Sequence, residues 1–264
     1  MSPLKVNGPG SGVCIVNALL EIRALGKAYG AVEALQDVSL QIRSAEVIGV
    51  CGDNGAGKST LMRIIAGAQP QSAGELIFEG RPLRFATPRD ALEAGIAAIY
   101  QDLALALEQP IYQNIFMGSE LTRPGWIPGL KQLDKRAMRA QSREFLAQLG
   151  IELPTVDAPV NQLSGGQRQA VAICRALRWR ARLVIMDEPT AALGVREKAR
   201  VLDLIRRLRD NGVAIVLVSH NMDDVIAVTD RVAILRGGRL LGEAPTAQLD
   251  ADKLSHMVMS GRMH

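Results

Sequence analysis

The chain has 264 residues, 31 Lys and Arg against 27 Asp and Glu, and a formal net charge of +4. That length suits one large domain or two modest ones, and no apolar run approaches the roughly 18 residues a membrane span needs. The basic residues are scattered and aromatics make up only 3%, which argues against a nucleic-acid surface built on stacking, while three cysteines without metal-ligand spacing argue against a disulfide framework or a cysteine-held metal.

Residues 1–18 carry one lysine, Gly-rich turns and a short apolar run, Val13-Cys14-Ile15-Val16. That is no secretory core; it reads as a flexible leader, and the protein is expected to be cytosolic. From Leu20 to Ile42 apolar residues fall at period-two spacing, broken at Tyr29-Gly30, which predicts strands of a small sheet. Tyr29 has two readings: a ring packed at a strand end, or a ring stacked on adenine. Val47 to Cys51 is apolar throughout, as in a strand buried on both faces of a parallel sheet.

Next comes Gly52-Asp53-Asn54-Gly55-Ala56-Gly57-Lys58-Ser59-Thr60, a G-x-x-x-x-G-K-S loop, running into a helix closed by Gly67. A strand before and a helix after are the context the pattern requires. Glycines let the backbone curl until several N–H groups face one phosphate. The helix start adds free donors and a favourable dipole. Lys58 is placed to reach the β- and γ-phosphates and Ser59 to hold Mg²⁺.

Gly74 to Gly80 reads as a strand, 88 to 94 as a helix stopped by Gly95, and Ile96 to Tyr100 as a strand ending at Gln101. Residues 102–163 change character, with helical stretches such as 133–149 between prolines, and predict a mostly helical insert. Leu163 to Gln169 opens an amphipathic helix with Ser164, Gly165, Gly166 and Gln167; a plain helix cap and a second phosphate grip both fit. Leu183 to Asp187 is a buried strand that delivers Asp187 and Glu188 at its end, where open α/β sheets bind ligands. Asp187 can hold Mg²⁺ and Glu188 can polarise water; the plainer reading is an acidic pair capping a helix. Val195, Ala199, Leu202, Ile205 and Leu208 mark one helix face. Val213 to Val218 is a further buried strand ending at Ser219-His220, and 231–243 is a hairpin about Gly237-Gly238. The alternation predicts a parallel α/β core. Its expected bounds are 19–245, with a helical tail over 246–264.

Taken together, these motifs resemble the ATP-binding cassette (ABC) family from about Leu20 to Gly242. Leu163 to Gln167 is similar to its signature motif, Gln101 to its Q-loop, Asp187-Glu188 to its Walker B pair, His220 to its switch histidine and Tyr29 to its adenine-stacking aromatic. The resemblance implies that the α/β core is mostly parallel and of the P-loop type, with an antiparallel β subdomain. It further implies ATP and Mg²⁺ as cofactors, with Ser59, Gln101 and Asp187 at the metal and Glu188 and His220 at the chemistry. It implies a head-to-tail dimer, the signature serine of one chain closing the P-loop site of the other, and His220 beside Lys58. It also implies membrane permease subunits held by the helical insert, a sugar-binding protein outside the membrane, and a station on the inner membrane face. Ala191-Ala192-Leu193-Gly194 departs from the usual S-A-L-D. With Tyr100 to Leu105 and Asn114 to Gly118, it looks like ATPases of monosaccharide importers, fructose-type single cassettes above all. A soluble cassette of translation or DNA repair is the alternative; a P-loop kinase has no use for Leu163 to Gln167.

Overall fold

The computed structural model describes residues 18–125, 131–153 and 155–263. The expected leader over 1–18 therefore lies outside the described residues, except for Ala18, which opens the first strand.

Two sheets carry the molecule. A six-stranded sheet runs in the order β12-β11-β3-β10-β9-β6, with β3 at Val47–Cys51, β6 at Ile96–Ile99, β9 at Leu183–Asp187, β10 at Ala214–Val218, β11 at Arg231–Arg236 and β12 at Arg239–Pro245. Its members pair in parallel except for the β11–β12 hairpin. Gly237 and Gly238 turn that hairpin at positive φ, 54° and 78°, the geometry that matches strand twist. A four-stranded antiparallel sheet, β2-β1-β4-β5, comprises β1 (Ala18–Tyr29), β2 (Val32–Arg43), β4 (Ala73–Phe78) and β5 (Arg81–Leu83).

Strand side chains alternate between two cores, as period-two geometry demands. Val184, Met186, Ile215 and Leu217 face one core. Ile185, Val216, Val218, Ile48 and Val50 face the other. The first core is roofed by α3 (Ile111–Phe116), α4 (Lys135–Gln148), α5 (Gly165–Arg178) and α6 (Val195–Asp210). The second is roofed by α1 (Lys58–Ile65) and the antiparallel sheet. A third cluster joins Cys51, Val225, Val232 and Ile234 to α8 (Ala251–Ser260), next to α7 (Met222–Val228). So the strands read as continuous apolar runs because both faces are covered.

Local chemistry fixes the helix ends. Pro88 opens α2 (Pro88–Ala94), Thr87 and Asp90 form a capping box, and Gly95 ends it at φ 94°. Segment 102–163, expected to be mostly helical, is helical among its described residues only in α3, in α4 and in a 3₁₀ turn over Val160–Gln162; the rest is turn and loop with a small hairpin, β7 (Thr122–Pro124) with β8 (Lys131–Leu133). Leu133 is therefore in a strand, and the helix expected from it starts at Lys135. The face expected for α6 holds at Leu202, Ile205 and Leu208, but Ala199 is exposed and Val195 is 86% exposed. Both stand in the opening turns of the helix, before the stripe meets the core at Val201. Within the tail expected over 246–264, the described residues hold α8 and one short 3₁₀ turn over Thr246–Gln248.

Candidate functional site: a phosphate loop beneath two carboxylates

Parallel pairing sets the site. Val50 aligns with Val218, Val218 with Asp187, and Met186 with Ile99. The chain therefore leaves β3, β6, β9 and β10 at one edge, where a doubly wound sheet binds ligands. Gly52 to Thr60, Gln101, Asp187, Glu188 and His220 line one cavity there, of about 920 Å³.

The loop's shape depends on its glycines. A Cβ on Gly52 would collide with the Leu235 carbonyl oxygen, and one on Gly57 would lie 2.7 Å from Leu35 Cδ2 at a backbone φ of 102°. Gly57 caps α1, and no side chain caps it. The first N–H groups of α1 thus face the cavity side without an intrahelical partner. Lys58 Nζ donates to the carbonyls of Gly52 at 2.6 Å and Asp53 at 2.9 Å. The ammonium is held over the loop's own backbone.

Opposite the loop stand the carboxylates. Burial, and the charge of Glu188 beside it, raise the Asp187 carboxyl above its ordinary range; Lys58 and Arg63 oppose this only in part. Glu188 adopts φ 52°, a region that costs a non-glycine residue. Its N–H donates to the Val218 carbonyl at 2.8 Å. Its Oε1 accepts from the His220 N–H at 2.9 Å and lies 2.8 Å from His220 Nδ1; Oε2 accepts from Ser219 Oγ at 3.3 Å. His220 is 81% exposed at its side chain. Sequence reasoning set His220 beside Lys58; both line the cavity, but the partner the structure gives the imidazole is Glu188.

Two expected parts of the site, Tyr29 and the helix start at Ser164, stand apart from this cavity. Tyr29 does not line it. Its hydroxyl donates to Gln69 Oε1 at 2.6 Å, and Lys27 Nζ lies 5.1 Å from its ring centroid. Val32, Glu33 and Ala34, just past the turn, line the cavity instead. Ser164, Gly166 and Gln167 line a second cavity, with Glu197, Arg200 and Arg207. Ser164 Oγ accepts from the Gln167 N–H at 3.4 Å and Gln167 Oε1 from the Ser164 N–H at 3.0 Å, so α5 opens in a capping box. Within one chain, the two helix starts do not meet.

Other members of the site were not read from the sequence. Ser255, Val258 and Met259 of α8 line the loop cavity from about 200 residues away. Behind Glu188, Thr190 Oγ1 donates to Asp224 at 2.7 Å, and Lys198 pairs with Asp224 at 2.6 Å. Asp224 is only 4% exposed, so this ion pair ties α6 to α7 under the carboxylates. No local pattern signals a partner 26 residues away. Cys51 and Cys174 are free and buried, and burial pushes both thiols up to about 12.

The family described as ABC transporter matches residues 35–191. The chain belongs to that family. It is an ATP-hydrolysing cassette with the P-loop fold. It is 42% identical to the xylose/arabinose import ATP-binding protein of Sulfolobus acidocaldarius, over 92% of this chain and 94% of that protein. It is 46% identical to the fructose import ATP-binding protein of Rhizobium meliloti, over 84% and 86%. Against the ribose import ATP-binding protein of Yersinia pestis it is 43% identical over 91% of its own length, but spans only 46% of that protein. Among solved structures, a cassette that is part of a Clostridium perfringens ABC transporter complex superposes with a TM-score of 0.76 at 26% identity, covering 93% of this chain and 96% of that one. Among the described residues, no helix is long and apolar enough to cross a membrane.

Proposed function

We propose that this cassette hydrolyses ATP to drive import of a monosaccharide, a pentose or fructose, through membrane permease subunits at the inner membrane face. The sugar class rests on the names of the relatives, and a sugar-binding protein outside the membrane would deliver the cargo. In this reading two copies face each other head to tail. The observation that carries it is the separation of two phosphate-gripping helix starts, at Gly57 and at Ser164, into different cavities. A nucleotide on the P-loop of one chain then takes its second grip from Ser164, Gly165, Gly166 and Gln167 of the other.

The residues fit Mg²⁺. Ser59, Gln101 and Asp187 line the same cavity. Among the described residues no cluster of three or more His, Cys, Asp or Glu side chains could cage a metal alone, which suits Mg²⁺ shared with nucleotide phosphates. When bound, the ion offsets phosphate charge and the repulsion between Asp187 and Glu188. Lys58 exchanges its loop carbonyls for the β- and γ-phosphates. Glu188 orients and deprotonates the attacking water. His220 and Ser219 hold its carboxylate in place, and the imidazole, exposed on its other side, is free to meet the γ-phosphate. The base of the permease groove would be Ala98, Met117, Gly118, Arg175 and Trp179, which line a cavity of about 370 Å³ between the sheet edge and α5.

Mixing tests the dimer. Lys58→Ala and Ser164→Arg chains are each expected to be inactive. Together they form one site with both lesions and one with neither, so partial ATPase activity returns. With subunit exchange verified by different tags, no recovery contradicts two independent shared sites. Full activity from a proven monomer contradicts sharing altogether.

A further inference from the structure

The hairpin β7–β8 and the start of α4 form a basic hollow far from the nucleotide cavity in sequence. It has a volume of about 490 Å³ and is lined by Arg123, Lys131, Leu133, Asp134, Lys135 and Arg136. All four basic residues are exposed. Among the described residues, none of them joins an ion pair. The one acid in the hollow is already engaged: Asp134 caps α4, its Oδ1 accepting from the Ala137 N–H at 2.9 Å. Glu120, two residues before β7, accepts from the Gly118 N–H at 3.0 Å. Arg139, one turn further along α4, is committed to Asp157 at 2.6 Å and to the Tyr112 ring.

Lys135 and Arg136 are also in the wrong place for stability. They occupy the first turn of α4, which holds no acid. A helix N-terminus carries partial positive charge and favours Asp or Glu there. Four cations that gain nothing inside the fold, two of them at a cost to it, fit a surface that meets an external anion. Leu133, 41% exposed, stands among them.

We propose that this hollow binds the phosphate headgroups of anionic membrane lipids. The proposal rests on the permease reading above for its placement. Gly118 lines the groove assigned to the permease, and β7 begins four residues later, a reach of about 14 Å at most. A cassette seated on a permease by that groove therefore carries the hollow close to the membrane surface. Cations around an exposed leucine match a headgroup boundary, where an apolar side chain enters between phosphates. A phosphodiester backbone of nucleic acid offers that leucine nothing.

Vesicle co-sedimentation of the full chain tests this. At about 0.1 M salt the chain is expected to bind phosphatidylcholine vesicles containing phosphatidylglycerol at least tenfold more tightly than phosphatidylcholine alone, and to lose the difference in high salt. Each basic side chain near such a surface strengthens binding about fivefold. The triple change Lys131→Ser, Lys135→Ser, Arg136→Ser should therefore weaken it about a hundredfold. Its ATPase activity should stay unchanged, because none of the three lines the nucleotide cavity. A control that changes Arg81, Arg84 and Arg180 to Ser removes the same charge elsewhere and should weaken binding by less than tenfold. Lys131→Glu alone gives a second readout should the triple variant fail to fold. Equal binding to both vesicle types, or equal loss in the control, overturns the proposal. So does binding of an acidic permease segment or of RNA without binding of phosphatidylglycerol. If wild-type chain binds the vesicles but hydrolyses no ATP, the transport reading fails and the lipid site stands.

Discussion

Glu188 is gripped by Ser219 and His220 while its backbone sits at a costly φ, so its charge and its position can be separated by substitution. Glu188→Gln keeps size and most hydrogen bonds but removes the base. Turnover should fall about 10²- to 10⁴-fold, while ATP still raises the melting temperature; loss of that ATP-dependent shift would instead assign Glu188 to the fold. A second expectation concerns Cys51 and Cys174. Burial holds both thiols protonated, up to about 12, and the thiolate is the reactive form. Iodoacetamide at pH 8 should leave both unmodified in the native protein, as peptide mapping would show; rapid labelling would mean that β3 or α5 opens readily. The phosphate loop and both carboxylates were legible in sequence because strand, loop and helix are local. The Glu188–His220 pair was not, since 32 residues separate its members. Nor was the engagement of Tyr29: a tyrosine at a strand end gives no hint that Gln69 will take its hydroxyl and Lys27 its ring face.

The elements that frame Ser164 show how a departure from the family pattern is tolerated. Gly165, in the first turn of α5, is pressed against Leu193, so that a Cβ there would lie 2.5 Å from Leu193 Cδ2. Gly165→Ala gains about 0.5–1 kcal/mol of helix propensity but must push the tip of Leu193 aside, so stability, read from the denaturation midpoint, should change by no more than about 1 kcal/mol; a larger fall would mean that Leu193 is held fixed. One residue on, Gly194 caps α6 with no side-chain bond and with open space around it. Gly194→Asp restores the aspartate common in the family and offers α6 a capping oxygen, worth a few tenths of a kcal/mol. A small rise in melting temperature is expected; a fall would show that the pocket beyond Gly194 repels charge. Period and capping rules made α2, α5 and α6 legible, whereas the β7–β8 hairpin was hidden because three-residue strands carry too little alternation to register.

Over the whole molecule, the proposed pairing of two copies predicts that specific ATPase activity rises with protein concentration in the absence of permease. Activity independent of concentration down to nanomolar levels would count against it. The fold class was readable because both sheet faces are covered and every core strand is therefore apolar. The α8 contribution to the nucleotide cavity was not, since only the third core, joining Cys51, Ile234 and Leu254, brings that helix back. One feature ties the distant parts together. Arg175 of α5 donates to the carbonyls of Leu103 at 2.8 Å and Ala104 at 3.0 Å, just past Gln101, and Asn114 clamps the same strap through Ala106 and Gln109. A helix rises 1.5 Å per residue, so Arg175 lies about 16 Å along α5 from Ser164. Helix α5 is thus a lever arm: a tilt of about 10° pivoted at Ser164 would drag the strap by about 3 Å. Motion at the nucleotide and motion at the proposed permease groove would then share one rod, and cutting the Arg175 grip should let the two ends drift out of step, visible as faster deuterium uptake over 102–106 with no change at 164–167.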